Sequence, residues 1–544
     1  MLSDHDICVE TQKEDERTAF LLTETSLDFD GYYIGTEGAK ALATCLQSND
    51  TLTRLNLSGN DIDAEGAKAL AICLQTNDTL TILNLAINRI YAEGAKALAT
   101  CLQSNDTLTR LNLRNNSIGV EGAKALATCL QVNHTLMSLN LSKNWIGAEG
   151  GKSLATYLQT NDTLTCLNLA VNRLEDEGAM AFATYLQTND SVTNMDLGYN
   201  SIRDEGVEAL ATCLQVNNTL TCLNLSENWI KAEGRKALAT CLQVNHSLTS
   251  LILRHTNMDD EGVTAMAASL QINDTLTSLD LWSTKFGTEG AKALAICLET
   301  NRTLTSLNLN ENYIDVEGTN ALAACLQTNR TLTSLSFSGP MVDEGAKALA
   351  TSLLTNRTIT NLDIRCNDIG TEGAKALATS LLTNRALTTL SLSGNRMGAE
   401  GAKALATCLL TNHTLTSLFL SGNSIGDAGA NSIISSMAQK ERRYGWTMRS
   451  KGDDGDATPV AVGERCFVEE FLYGCEWGHV VREYLRVESV TDLNLSYNKI
   501  TLADSASRDA LCELLPLRKL TLSENEIGGC LDKIGQLTNL ESVN

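Results

Sequence analysis

Proline and aromatic side chains are scarce: 3 prolines and 4% aromatics in 544 residues. So few prolines exclude a proline-rich linker or a collagen-like chain, and a hydrophobic content of 43% excludes a disordered one. The core must then be built from Leu, Ala, Ile and Cys. Positive charge is also short, with 42 Lys and Arg against 65 Asp and Glu and a formal net charge of -23. That balance opposes condensation on a phosphate backbone, so a nucleic-acid partner is not expected. No run reaches the roughly 18 apolar residues of a membrane span, and Met1 to Asp15 carries acids without an apolar core of signal-peptide length. The expectation is a cytoplasmic protein without membrane insertion.

What is abundant is repetition. Asn60, Asn88, Asn116, Asn144, Asn172, Asn200 and Asn228 recur every 28 residues. A typical unit opens on Leu52, Leu55, Leu57, Asn60 and Ile62, then continues from Glu65 through Ala67, Leu70, Ala71 and Leu74 to Asn77. In the first half Leu55 and Leu57 share one face, with Arg54, Asn56 and Ser58 on the other, as in a half-buried strand. The second half has helical spacing, and Glu65 near its start complements the helix dipole. The Asn60 position is expected to turn its amide inward to satisfy the backbone where each strand ends. Asn77, with Asn49, Asn105, Asn133 and Asn161, is expected to cap the helix in a left-handed conformation. These corners also spell Asn-x-Ser/Thr glycosylation acceptors, for which the capping role is preferred. Nine of the 17 cysteines (Cys45, Cys73, Cys101, Cys129, Cys213, Cys241, Cys297, Cys325 and Cys408) hold one repeat position, taken elsewhere by Tyr157, Tyr185 and Ser269. Stacked helices hold such positions about 8 to 10 Å apart, too far for disulfides, so buried thiols are expected.

A lone strand and helix cannot bury their apolar faces, but stacked copies share one core. Strands stack at about 4.8 Å and helices at about 8 to 10 Å, which bends the stack with strands inside. The expected fold is an α/β solenoid, a horseshoe with a concave parallel β-sheet and convex helices. The Leu-x-x-Leu-x-Leu-x-x-Asn-x-Ile and Glu-Gly-Ala-Lys-Ala-Leu-Ala stretches resemble the ribonuclease-inhibitor-type leucine-rich repeat, and are similar to the repeat regions of NOD-like receptors and Ran GTPase-activating proteins. The resemblance implies a protein-binding scaffold or recognition module related to NOD-like sensors, with a Ran-type GTPase activator or other GTPase regulator as the alternative.

The expected organisation is an amino-terminal cap or tail over 1–26, fifteen repeats over 27–443, an irregular insertion or cap over 444–489, and shorter repeats over 490–544. Tyr32 stands at the ladder asparagine position in the first unit. The shorter repeats are marked by Leu493, Asn498, Leu520 and Asn525, with a 23-residue register from Leu517 to Leu540. Val543 and Asn544 fall within a further strand, which suggests a truncated chain.

No catalytic constellation emerges. Gly150-Gly151-Lys152-Ser153 has Ile146 where a phosphate-binding loop needs its first glycine. Cys466, Cys475 and His479 lack the paired spacing of a zinc site, and Asp453-Asp454-Gly455-Asp456 lacks that of a calcium loop. No enzyme, cofactor or metal is expected. The candidate partner-binding residues are those that break the strand-face pattern: Ile252, Arg254 and His255 in one unit and Trp282 in the next, with Tyr199, Trp229 and Tyr313 at nearby strand exits. Thr256 and Thr284 replace the usual asparagine there. Aromatic and arginine side chains are favoured interface anchors. The partner is expected to be a protein on the concave face, and the acidic surface favours a basic one.

Overall fold

The computed structural model describes residues 24–425 except 416, a few positions between 428 and 436, and three short strands near the carboxyl terminus. The expectations on 1–23 and 444–489, including the rejected zinc and calcium clusters, lie outside the described residues. The chain divides into two compact units, one comprising Met1–Met258 with Ala268–Asp280 and the other Asp259–Ala267 with Leu281–Asn544.

In the first unit ten parallel strands follow one another in chain order, from Ser26–Asp28 to Ser278–Asp280. Leu55 lies beside Leu83, and Leu83 beside Leu111, so the 28-residue period is the register of the sheet. Between strands the chain returns through helices such as Ala64–Leu74 and Gly119–Leu130. Leu55, Leu57 and Ile62 from the strand side meet Ala67, Leu70, Ala71 and Leu74 from the helix, all of them buried. Each buried leucine contributes about 1.5 to 3 kcal/mol, and stacking makes one repeat's core continuous with the next. The glycine after each helix-start glutamate is set by close packing: a Cβ on Gly94 would stand 2.6 Å from Ile90 Cγ2 and 2.9 Å from Ala67 Cβ.

The second unit repeats the plan with five parallel strands from Ser306–Leu309 to Ser417–Phe419. One repeat is shorter, since Ser334 pairs with Asn361 at an offset of 27, and Pro340 stands where the ladder asparagine would fall. Asp492–Asn494, Lys519–Thr521 and Ser542–Val543 form a further three-stranded parallel sheet, with Lys519 beside Ser542 at an offset of 23. The architecture is an α/β leucine-rich-repeat solenoid.

Three local expectations need correction. Ser58 was expected on the open strand face but is 8% exposed. The strand ends at Asn56, so strict alternation stops before Ser58, and the chain turns over it. Cys45 is only partly buried; the other eight cysteines of its column are buried, and the described cysteines are all free.

The corner asparagines are not left-handed caps. The helix Ala64–Leu74 closes on Gln75 at φ -67°, while Asn161 and Asn301 are extended at φ -85° and -62°. Their side chains carry the role instead. Asn77 Nδ2 donates to the carbonyls of Leu46 at 2.9 Å and Asn49 at 3.2 Å in the preceding repeat, and its Oδ1 accepts from Leu80 N at 2.9 Å. Helix-terminal carbonyls lack intrahelical partners, and an inward amide satisfies one of them across the repeat boundary. The threonine of the same triplet joins in, Thr79 Oγ1 donating to Asn49 O at 3.3 Å.

The strand-exit asparagines form a second ladder. Asn88 Nδ2 donates to the carbonyls of Leu57, Leu85 and Ala86 at 2.9 to 3.0 Å, while Oδ1 accepts from Asn60 N and Ile62 N at 3.1 and 2.9 Å. Each such amide therefore ties its own turn to the one before it.

Candidate partner-binding edge

Most described strands leave the sheet through a short turn held from within by a ladder asparagine, with Tyr32, Thr256, Thr284 and Pro340 as the exceptions, and this turn aims the variable side chains outward. The residue before the ladder position takes a left-handed backbone: Tyr199 at φ 58° and His255 at φ 54°, matching Gly59, Gly394 and Gly422 in plainer repeats. Left-handed backbone suits glycine, and a bulky side chain there is strained.

In the first unit the candidate residues form two small networks. The phenol of Tyr199 hydrogen-bonds Glu227, which holds it above the usual tyrosine range. His255 Nε2 lies 3.5 Å from the same carboxylate, an ion pair only when the imidazole is protonated. One strand further on, Arg254 grips Asp280 in a fork, Nε at 2.7 Å and Nη2 at 2.6 Å from Oδ2. Asp280 is nearly buried, whereas the Arg254 side chain is 44% exposed. Arg254 therefore presents a plane with much of its charge already matched. Ile252 lies half-buried on the strand Ser250–Ile252, between Asn224 and Asp280. Trp229 is 54% exposed, with the Arg203 guanidinium 5.3 Å from its ring centroid.

Trp282 and Tyr313 belong to the second unit. Trp282 is half-buried, and Tyr313 is 68% exposed on a turn closed by its own N–H to Phe286 O at 2.8 Å. The threonines at the ladder position bond only within reach of a hydroxyl. Thr256 Oγ1 donates to Leu253 O at 2.5 Å in the first unit, and Thr284 Oγ1 to Leu281 O at 2.9 Å in the second.

Several residues of this edge escaped the sequence reading. Trp145, 58% exposed, carries the Arg173 guanidinium 4.4 Å from its ring centroid. Both stand one position after a ladder asparagine, where Ser117 and Ser201 occur in neighbouring repeats, and comparing that column would have found them. Asp176 was also missed. Its Oδ1 accepts from Arg203 N at 2.6 Å and Gly206 N at 3.1 Å, so it caps the helix of the following repeat. Asp204 does the same for Lys231 N at 2.7 Å and Gly234 N at 3.2 Å. A cap donated across repeats leaves no local sequence signature.

Among the described residues no group of His, Cys, Asp and Glu is arranged to hold a metal, and no helix is long and apolar enough to cross a membrane. Residues 19–340 match the family model described as the NLRC3 LRR domain, and residues 355–378, 383–406 and 411–433 match a leucine-rich-repeat model. Among solved structures, actin-binding site 2 of leiomodin-1 is 26% identical over 24% of this chain and 78% of its own, with a TM-score of 0.22. A solved TLR13-ssRNA13 complex is 18% identical over 92% of this chain and 76% of its own, with a TM-score of 0.47. No curated protein matches the chain.

Proposed function

The chain belongs to the NLRC3-type leucine-rich-repeat family, whose repeat domains are protein-interaction or recognition modules, and from this premise we propose that it captures a protein partner on its strand face and strand-exit turns. The observation that carries this reading is a division of labour within each turn. The asparagine amide is buried and fully occupied by backbone groups, whereas Tyr199, Trp229 and Tyr313 stand more than half exposed on the same turns. Large aromatics held out on a rigid backbone lose little entropy on binding.

In the first unit the contact residues are Tyr199, Trp229, Ile252, Arg254 and His255; in the second they are Trp282 and Tyr313. Arg254, oriented by Asp280, acts through its planar face more than through its charge. The net charge of -23 supports a partner of positive overall charge, steered at long range and weakened by salt. Family membership and the absence of any catalytic constellation in the sequence support binding without catalysis.

The test starts with affinity purification at low and raised salt, followed by titration of the purified partner against folded Arg254→Ala and Trp282→Ala variants. The better anchor should cost about 2 kcal/mol of binding, while helix-face Lys68→Ala should cost little. Unchanged affinity for Arg254→Ala removes the first unit's strand face, and unchanged affinity for Trp282→Ala removes the second's. Unfolding of Trp282→Ala would assign that ring to packing.

A further inference from the structure

Many cations on this scaffold are neutralised at home. Lys40, Lys68, Lys96, Lys124, Lys152, Lys292, Lys375 and Lys403 each pair with the glutamate three residues before. Arg89, Arg365 and Arg396 pair with aspartates on or beside their own turns. Others, such as Arg54, Arg110 and Arg114, make no ion pair among the described residues, and the strand-exit edge of the first unit between residues 143 and 231 gathers four such cations. Lys143, Arg173, Arg203 and Lys231 are all exposed there, and none of the four makes an ion pair among the described residues. Beside Arg203 and Lys231, Asp176 and Asp204 each spend Oδ1 on two backbone N–H groups as helix caps and pair with neither cation. Glu227 is held by Tyr199 and His255.

The same edge places bulky side chains where small ones suffice. Trp145 at φ 58°, Arg173 at φ 56° and Val171 at φ 61° hold left-handed positions that Ser117, Ser201 or a glycine fill elsewhere in the stack. Such conformations cost free energy, and they hold exposed side chains out from the turn where a partner can reach them. Arg173 and Arg203 rest on the faces of Trp145 and Trp229, which fixes the guanidinium groups and leaves their hydrogen-bond donors at the rim.

We propose that this edge, from Lys143 and Trp145 to Trp229 and Lys231, is the docking site for an acidic peptide segment of a protein partner. The proposal rests on the protein-binding reading and adds a place and a chemistry to it. Four unpaired cations call for carboxylates, and the stacked guanidinium groups present the planar fork that carboxylates fit. Trp145 and Trp229 lie three repeats apart, about 14 Å along the sheet at strand spacing, which four or so residues of extended peptide span. The overall acidity of the protein does not oppose this, because charges beyond about 8 Å are largely screened at physiological salt while contact pairs are not. Single-stranded nucleic acid is the other ligand that aromatic and arginine rows attract, but it needs open ring faces, and here guanidinium groups already cover one face of each indole.

The experiment is selection of a displayed random-peptide library on the full chain, in parallel with the Arg173→Glu/Arg203→Glu double variant and with the Arg254→Ala/Trp282→Ala double variant, each first shown to unfold like the parent. The expected result is enrichment of Asp- and Glu-rich peptides that bind the parent and the Arg254/Trp282 variant alike. They should lose at least tenfold in affinity on the Arg173/Arg203 variant and severalfold on Trp145→Ala. Enriched peptides without acidic character, or acidic ones indifferent to Arg173 and Arg203, would overturn the proposal. So would tight binding of a labelled single-stranded RNA abolished by the same two reversals. Peptides sensitive only to Arg254 and Trp282 would sink this site while leaving the strand-face reading intact.

Discussion

The two ends of each repeat solve one problem in opposite ways. At the helix exit and at the strand exit alike, a buried asparagine reaches back to carbonyls of the preceding turn, as Asn133 does to Leu102 and Asn105, and Asn144 does to Leu113. Around the helix-exit amide the sequence scarcely varies, Asn-Asp-Thr or Asn-Arg-Thr in most units. Around the strand-exit amide the flanking residue is Gly59, Ile87, Asn115, Lys143, Val171 or Tyr199. Both corners are equally tied down, so rigidity does not dictate the difference. The strand exit is a fixed frame with a free display position, and the helix exit is frame throughout.

The comparison breaks most sharply by deleting an amide at each corner. Asn144 makes three donor bonds and accepts from Asn116 N and Ile118 N. Asn144→Ala strands several buried backbone groups and should cost about 3 kcal/mol or more, read as a lower midpoint in urea. Asn133 at the helix exit donates to Leu102 O, Asn105 O and Thr135 Oγ1 and accepts from Thr135 N and Leu136 N, so Asn133→Ala should cost a comparable amount, about 3 kcal/mol. A much smaller loss at either corner would deny that the two are equally tied down.

Cysteine reactivity offers a second contrast. Burial pushes the Cys101 thiol, one residue before the end of its helix, up to about 12, whereas Cys366 is exposed on a strand-exit turn. At pH 8 the native protein should alkylate at Cys366 at least about a hundredfold faster than at Cys101, measured by peptide mapping after timed iodoacetamide. The sign for stability follows: the folded thiol stays neutral while the unfolded one ionises above about pH 9. Native stability should therefore fall as pH rises from 9 toward 12. Comparable labelling of Cys101 and Cys366 in folded protein would show that the helix-side core opens readily.

A restoration should act in the opposite direction. Thr256 bonds only within its own repeat, while Asn228 in the unit before reaches Leu197 across the boundary. Thr256→Asn should raise stability by about 1 kcal/mol by completing the ladder at that turn. A loss on melting would mean that the turn has settled around the hydroxyl.

The smallest effect concerns the display position itself. Val171→Gly relieves a β-branched residue at φ 61° and should stabilise by about 0.5 kcal/mol, net of the entropy glycine adds to the unfolded chain. A decrease of that size would show that the valine packs usefully and is not simply displayed.

The period of 28 makes the register legible in the sequence, because a column of Asn60, Asn88 and Asn116 carries both the turn and its spacing. The inward role of that column followed from backbone accounting, and Asn88 performs it. The helix-exit column misled because asparagine suits two jobs: its backbone tolerates left-handed turns and its side chain satisfies distant carbonyls. Only the position of Leu46 O beside Asn77 decides between them, and that contact links residues 31 apart. The edge was half visible. Tyr199 and Trp229 stood out as large residues, but the pairing of Arg173 with Trp145 and of Arg254 with Asp280 depends on how neighbouring turns stack, which no local pattern encodes.

The helix-exit ladder also constrains how the protein can be produced. Asn49, Asn77, Asn105 and most of their successors sit in Asn-x-Thr or Asn-x-Ser triplets, and in the fold both nitrogen donors of Asn77 are spent on carbonyls while its side chain is enclosed. Attaching a sugar to that nitrogen removes a donor and forces a bulky polar group into space filled by the adjoining turn. A chain fused to a secretion signal would offer these triplets to the glycosylation machinery while still unfolded. Sugar at any one of them would then block the stacking of two repeats, so yeast display or mammalian secretion should give retained, glycan-bearing material, while the same sequence made where no glycan is added should fold.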